Sequence, residues 1–115
     1  MAVNNANVQD ITMVRGNTLA FSFELVGLGQ SLDAAYLSCK ADLADSEYAF
    51  QKTLGDGIEA GETAGTYDVR VAPEDTAELA PGRYFYDLTV HANNDVKTLM
   101  LGVLLLVRGT TEPAE

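Results

Sequence analysis

His91 and Cys39 are the chain's single imidazole and single thiol, so a nucleophilic Cys–His pair would require these two to meet. The alternation around each puts Cys39 on the inward register of its strand and His91 on the outward register near a hairpin end. That pattern predicts a buried structural cysteine and no catalytic pair. A tetrahedral zinc site would need carboxylates in the remaining positions. Asp42, Asp45 and Glu47 lie close together in one loop, and Asp56, Glu59 and Glu62 in another. Neither group has the dense oxygen spacing with a turn glycine that a calcium loop uses, so both read as solvated loop charge. Glu74-Asp75 suits the positive end of a short helical turn. Gly55-Asp56-Gly57 is too short and too acidic to cradle a phosphate. Sugar binding needs aromatic platforms; Tyr36 and Phe85 are the outward-register aromatics, and the chain has no Trp. By elimination the residues point to a non-enzymatic chain with no catalytic, cofactor or metal residues.

The elements that position these residues belong to one domain. A length of 115 residues suffices to bury a core, and 47% hydrophobic with 21% charged residues is an ordinary globular composition. The formal net charge is −10, and the seven Lys and Arg form no cluster, which argues against nucleic acid and anionic membrane as partners. One cysteine allows no intramolecular disulfide, so the fold must stand on packing, as suits a reducing compartment or a particle assembled in one. The first seven residues carry no basic stretch or apolar run, and no signal peptide is expected. The longest apolar stretch, Leu99 to Val107, is far short of the roughly 20 residues a spanning helix needs.

Period-two alternation recurs along the chain. In Thr18 to Leu25, Leu19, Phe21, Phe23 and Leu25 share one face. In Ala35 to Leu43, Leu37, Cys39, Ala41 and Leu43 point inward. Further strands are expected at Tyr48 to Leu54, Thr66 to Ala72, Arg83 to His91 and Val96 to Arg108, with an opening strand near Asp10 to Val14. Turn chemistry separates them at Arg15-Gly16-Asn17, Gly27-Leu28-Gly29, Gly55-Asp56-Gly57 and Asn93-Asn94. Pro73 to Ala77 suits one helical turn with Pro at its first position. About seven antiparallel strands with short connections indicate a sandwich or barrel spanning 8–108, with a flexible N-terminus over 1–7 and a flexible acidic tail over 109–115.

The stretch Leu79-Ala80-Pro81-Gly82-Arg83-Tyr84-Phe85-Tyr86 is more specific. Tyr84 resembles the tyrosine corner of immunoglobulin-like domains, and Tyr86 stands where an antibody domain has its second cysteine, so aromatic packing would replace the disulfide there. Tyr84 also reads as an ordinary core aromatic. The string Ile11-Thr12-Met13-Val14-Arg15-Gly16-Asn17-Thr18-Leu19, followed by Phe21-Ser22-Phe23 and later by Gly82-x-Tyr84-x-Tyr86-Asp87, is similar to small phage and prophage proteins related to the N-terminal domain of phage baseplate upper proteins. The resemblance covers roughly Val8 to Val107. It implies an immunoglobulin-like virion component acting through contacts with other virion subunits or with itself, and it carries over no catalytic residues. The runner-up is a small carbohydrate- or protein-binding module of a bacterial surface protein.

The last strand is apolar on both registers. A two- or four-residue loop at Asn93-Asn94 sets Leu88 opposite Leu99, Tyr86 opposite Leu101 and Tyr84 opposite Val103, all toward the core. The other face then carries Phe85, Met100, Leu104 and Leu106, which are the expected partner-binding residues. Either an element of the domain covers that face or another subunit does. A three-residue bulged loop at the turn would exchange the two sets.

Overall fold

The computed structural model describes residues 7–24, 32–63, 65–92 and 94–110. The expected Gly27-Leu28-Gly29 loop, Leu25, Asn93 and most of the two terminal segments lie outside these residues. The strands are β1 (Asn7–Val8), β2 (Ile11–Val14), β3 (Leu19–Glu24), β4 (Ala34–Lys40), β5 (Phe50–Leu54), β6 (Gly57–Ala60), β7 (Thr66–Val71), β8 (Gly82–Ala92) and β9 (Asp95–Val107). A single helical turn, α1 (Pro73–Thr76), begins with Pro73 as expected. Two layers result. The front sheet runs β9-β8-β4-β5, with β1 and β2 both on the outer edge of β9; the back sheet runs β6-β7-β3.

The strand count exceeds the expected seven for two reasons. The opening strand is interrupted at Gln9-Asp10, and it pairs parallel, not antiparallel, with β9 (Ile11 opposite Leu104, Val8 opposite Leu101). At Gly55-Asp56-Gly57 the chain does not simply reverse. It steps from front to back sheet, leaving β5 and β6 in brief parallel contact and adding β6 against β7.

Alternation fixes the core where one face of each strand is covered. Leu37 and Cys39 of β4, Ile58 of β6, and Tyr67, Val69 and Val71 of β7 are all buried. So are Tyr86, Leu88 and Val90 of β8. Phe21 and Leu19 of the back sheet line one small internal gap with Leu37, Tyr86 and Leu104 of the front, which shows the layers meeting face to face. The core is bonded as well as packed. The Leu32 N–H donates to the Tyr67 hydroxyl at 3.1 Å, and the Gly16 N–H donates to Oγ1 of the fully buried Thr76 at 2.8 Å. Gly16 has φ 83°, the left-handed value the third residue of this turn requires, and the Asn17 N–H closes the turn on Val14 O.

The inward register of β4 ends sooner than the sequence suggests. The Asp42 side chain accepts the Ala44 N–H at 3.0 Å and its carbonyl accepts the Asp45 N–H, so the chain turns after Lys40. Ala41 is exposed as a result, and Leu43 is 70% exposed.

The largest departure is the register of the last hairpin. Near the turn, Ala92 opposes Asp95 and Thr89 opposes Thr98, as a short loop dictates, with Asn94 at φ 67°. A bulge between Leu88 and Thr89 then adds one residue to β9, so Leu88 faces Met100, Tyr86 faces Gly102 and Tyr84 faces Leu104. Leu99 and Met100 both pack against the core across the bulge, and beyond it the two faces exchange. Leu104 and Leu106 are therefore core residues, 2% and 1% exposed, and Met100 is half-buried against them. Of the expected partner-binding set, Phe85 alone stays on the outer face. Leu101, Val103 and Leu105 join it there.

Candidate functional site

The cross-strand register assembles the outer face of the front sheet row by row. Gln51, Ser38, Asp87, Leu101 and Val8 form a central row across β5, β4, β8, β9 and β1. Lys40, Phe85 and Val103 lie on one side of it, and Thr53, Tyr36 and Thr89 on the other. Side-chain bonds run along these rows, with Gln51 Nε2 donating to Ser38 Oγ at 2.9 Å and the Thr89 and Thr98 hydroxyls 2.9 Å apart. Leu43 and Tyr48, from the loop after β4, rise at one side, and the whole forms a concave surface of about 610 Å³. That volume falls within the range of ligand-sized clefts.

Apolar side chains dominate this surface. Val8 is 74% exposed and Tyr48 48%, and Leu101 and Leu105 on β9 are both more than a third exposed. The outer face of the back sheet is the contrast. It presents Ala20, Ser22, Glu24, Asp68 and Arg70, with the Ser22 hydroxyl on Asp68 at 2.7 Å. That is the polar pattern of a sheet face open to water, and the front face does not share it.

The charges on the front face are unevenly committed. Lys40 Nζ donates to the Asp45 carbonyl at 2.8 Å and lies 5.2 Å from the centre of the Tyr48 ring, a cation–π contact. Asp10 accepts the Val103 N–H at 3.0 Å, and Asp87 accepts the Thr89 hydroxyl at 3.1 Å. The ion pair between Lys52 and Asp75 lies elsewhere, where Asp75 also caps the Ala72 N–H at the start of α1. Asp75 thus serves structure, in keeping with its place at the head of a helical turn.

The other sequence candidates are dispersed. Cys39 has no exposed surface, and burial pushes its thiol up to about 12. His91 sits on the opposite face of the sheet, five β4 positions away by register, with its ring edge-on to Tyr36 at 5.6 Å. The two do not meet. The acidic residues of the 42–47 and 56–62 loops do not converge, and among the described residues no three His, Cys, Asp or Glu side chains gather around a point. Tyr84 does what a tyrosine corner does, its hydroxyl donating to the Ala80 carbonyl at 2.7 Å. Tyr86 is buried, and its hydroxyl donates to the Gln9 carbonyl beyond β9.

Gly102, opposite Tyr86, is what allows the opening strand to lie so close. A Cβ there would stand 2.4 Å from Gln9 O and 2.9 Å from Asp10 Oδ1. Replacing Gly102 with Ala should push the Gln9–Asp10 backbone off β9 and lower stability by about 1–3 kcal/mol. Urea unfolding reads the loss. Faster amide exchange at Gln9, whose N–H donates to the Leu101 carbonyl, locates it.

This architecture makes the chain an immunoglobulin-like β-sandwich. No protein-family model matches the sequence, and no curated protein is similar enough to count as a relative. Solved structures share the fold. The NK cell receptor Nkp44, a triggering partner in natural cytotoxicity, superposes with TM-score 0.50 at 17% identity, over 90% of this chain and 99% of that one. The extracellular domain of mouse leukocyte-associated immunoglobulin-like receptor 1, solved as a strand-swapped dimer, gives 0.51 at 9% identity over 94% and 95%. The endo-β-1,4-mannanase of Thermotoga petrophila gives 0.54 at 11% identity, and there 93% of this chain matches only 19% of that one. At such identities the likeness is one of fold.

Proposed function

We propose that this domain is a non-enzymatic protein-contact module that binds through the outer face of its front sheet, and that it serves as an assembly component of a phage or prophage particle of the tail or baseplate type. The observation that carries the first half is the difference between the two sheet faces. One is polar; the other gathers Phe85, Leu101, Val103, Val8 and two tyrosines into one concavity. Water-facing apolar area on that scale favours association, since each large side chain covered contributes about 1.5–3 kcal/mol. The virion half rests on the resemblance of Ile11 to Leu19 and the Gly82-x-Tyr84-x-Tyr86-Asp87 strand to phage baseplate proteins. In that setting the partners are other virion subunits or a second copy, and the domain resides in the particle, or in the bacterial cytoplasm before assembly.

Photo-crosslinking tests both halves. A benzoylphenylalanine at position 85, in cells producing particles, should give an ultraviolet-dependent adduct with a particle protein, and the same group at Arg70 should give none. Equal adducts at both positions, or adducts from position 70 alone, would overturn the choice of face. Adducts only with proteins absent from purified particles would overturn the setting.

A glycan is the second reading, because Tyr36, Tyr48 and Phe85 share one concave face, and sugar rings stack on such aromatics. Binding on a glycan array that Phe85→Ala abolishes would establish it.

A further inference from the structure

Asp87 stands at the middle of the front face, on β8 between β4 and β9, with Ser38 on one side of it and Leu101 on the other. It is half-buried, and its same-face neighbours along β8 are Phe85 and Thr89. A carboxylate at the centre of an apolar sheet face is costly to cover unless a cation covers it. The sequence places a cation nearby: Lys40 sits diagonally from it, across from Phe85. Yet that ammonium turns the other way, to the Asp45 carbonyl and the Tyr48 ring. Asp87 holds one hydrogen bond, from the Thr89 hydroxyl, which leaves most of its acceptor capacity directed at whatever covers the face. Asp10 adds a second carboxylate at the same concavity.

We infer that the occupant of this face is a partner segment carrying a basic side chain, Arg or Lys, that pairs with Asp87 while its aliphatic neighbours rest on Leu101 and Val103. This inference rests on the protein-contact reading above and deepens it. Charge complementarity supports it at two scales. Locally, two carboxylates, Asp87 and Asp10, outnumber the one ammonium, Lys40, which is turned toward the Asp45 carbonyl and the Tyr48 ring, and the aromatic residues Phe85 and Tyr36 line the same concavity as Asp87. Globally, a chain of net charge −10 steers basic partners toward it and repels a second copy of itself. A covered pair of this kind supplies specificity as well as affinity, because an uncharged partner would leave Asp87 buried alone.

The test uses the whole chain, labelled with ¹⁵N, and three blocked pentapeptides: Leu-Arg-Leu-Arg-Leu, Leu-Glu-Leu-Glu-Leu, and the same frame with norleucine in place of the charged residues. The arginine peptide should shift amides in Phe85–Thr89, Tyr36–Lys40 and Leu101–Val103. Asp87→Asn, which keeps the shape and the bond from Thr89, should weaken it by roughly tenfold or more. Raising the salt should weaken it too. If the norleucine peptide binds as well and Asp87→Asn changes nothing, the face takes an apolar segment; this inference then falls and the protein-contact reading stands. If the glutamate peptide binds best, or the arginine peptide shifts amides only elsewhere or none at all, the inference falls as well. The crosslink at position 85 decides the underlying reading independently. Concentration-dependent dimers that broaden these same amides would assign the face to a second copy and overturn the basic partner.

Discussion

Leu106→Ala should lower the unfolding free energy by about 2–5 kcal/mol, whereas Leu105→Ala should lower it by less than about 1 kcal/mol. The two residues are neighbours of the same type on β9, so propensity and local sequence cannot separate them. The register does. Leu106 pairs with Gly82 and is 1% exposed, and Leu105 pairs with Arg83 and is 39% exposed. Truncating the first removes buried methyl groups and leaves a cavity between sheets that can only partly close. Truncating the second removes surface that water already reaches. Without the bulge between Leu88 and Thr89, the order would be reversed, with Leu105 in the core and Leu106 outside. Urea unfolding of the two variants therefore reads the parity of the hairpin directly, provided the denaturant slope is unchanged. Equal losses, or a larger loss for Leu105→Ala, would place the bulge elsewhere. Leu104→Ala, at a position 2% exposed, should follow Leu106.

That contrast also marks where reading the sequence succeeds and where it stops. Strands whose two faces differ in polarity are legible, because only one register buries the apolar set. In β3 the residues Leu19, Phe21 and Phe23 alternate with Ala20, Ser22 and Glu24, and the structure turns the first set inward, half-buried against the core, and leaves the second exposed. In β7 the residues Tyr67, Val69 and Val71 alternate in the same way and are buried. The corner at Tyr84 is legible because its chemistry is local, a hydroxyl reaching a carbonyl four residues back. β9 is different. From Leu99 to Val107 both faces are apolar, so hydrophobicity favours neither register, and the count of residues from the turn decides everything. One bulge residue then inverts the assignment of every position beyond it. The same ambiguity hid β6: Ile58 is its one buried residue, and four residues carry too little pattern to announce a strand.

The candidate face was legible in part for the same reason. Phe85 and Tyr36 lie on strands with clear alternation, and both are found on the outer face. Asp87 and Ser38 have the same outward register, but nothing in the sequence says that they stand side by side. That follows from β4 and β8 being neighbours, a long-range pairing that local pattern does not encode. Val8 joins only because the opening strand runs parallel beside β9, and Gly102 is the residue that lets it approach. Within the apolar run Leu99 to Val107, Gly102 is the one residue without a side chain. It is where another backbone crosses.

Stability should fall as pH rises from about 9 toward about 12, and Cys39 should be the main cause. Behind the candidate face, Cys39 lies between Phe50 and Tyr86 with no exposed surface, and burial lifts its thiol from 9.0 to about 12. In that interval the unfolded chain releases the proton and the folded chain keeps it. Raising the pH therefore favours unfolding. Well below pH 9 both states hold the proton and the group contributes no slope. The upper bound on the loss is about 4 kcal/mol, reached once pH passes the folded value. Tyr84 and Tyr86 act in the same direction above pH 10. Burial raises both, reinforced at Tyr84 by the Cys39 charge and at Tyr86 by Asp10. Cys39→Ala should flatten the pH dependence between 9 and 10, leaving the tyrosine share above it, and unfolding midpoints measured from pH 7 to 11 read the difference. The same burial predicts the kinetics of modification. At pH 8 the folded thiol should react with iodoacetamide on the order of a thousandfold more slowly than the unfolded one, from its thiolate fraction alone. Because Cys39 is next to Ser38 on β4 and pairs with Tyr86, one position along from Asp87, its labelling rate also reports openings of the front sheet. A partner seated on that face should slow the labelling further, though it never touches the sulfur.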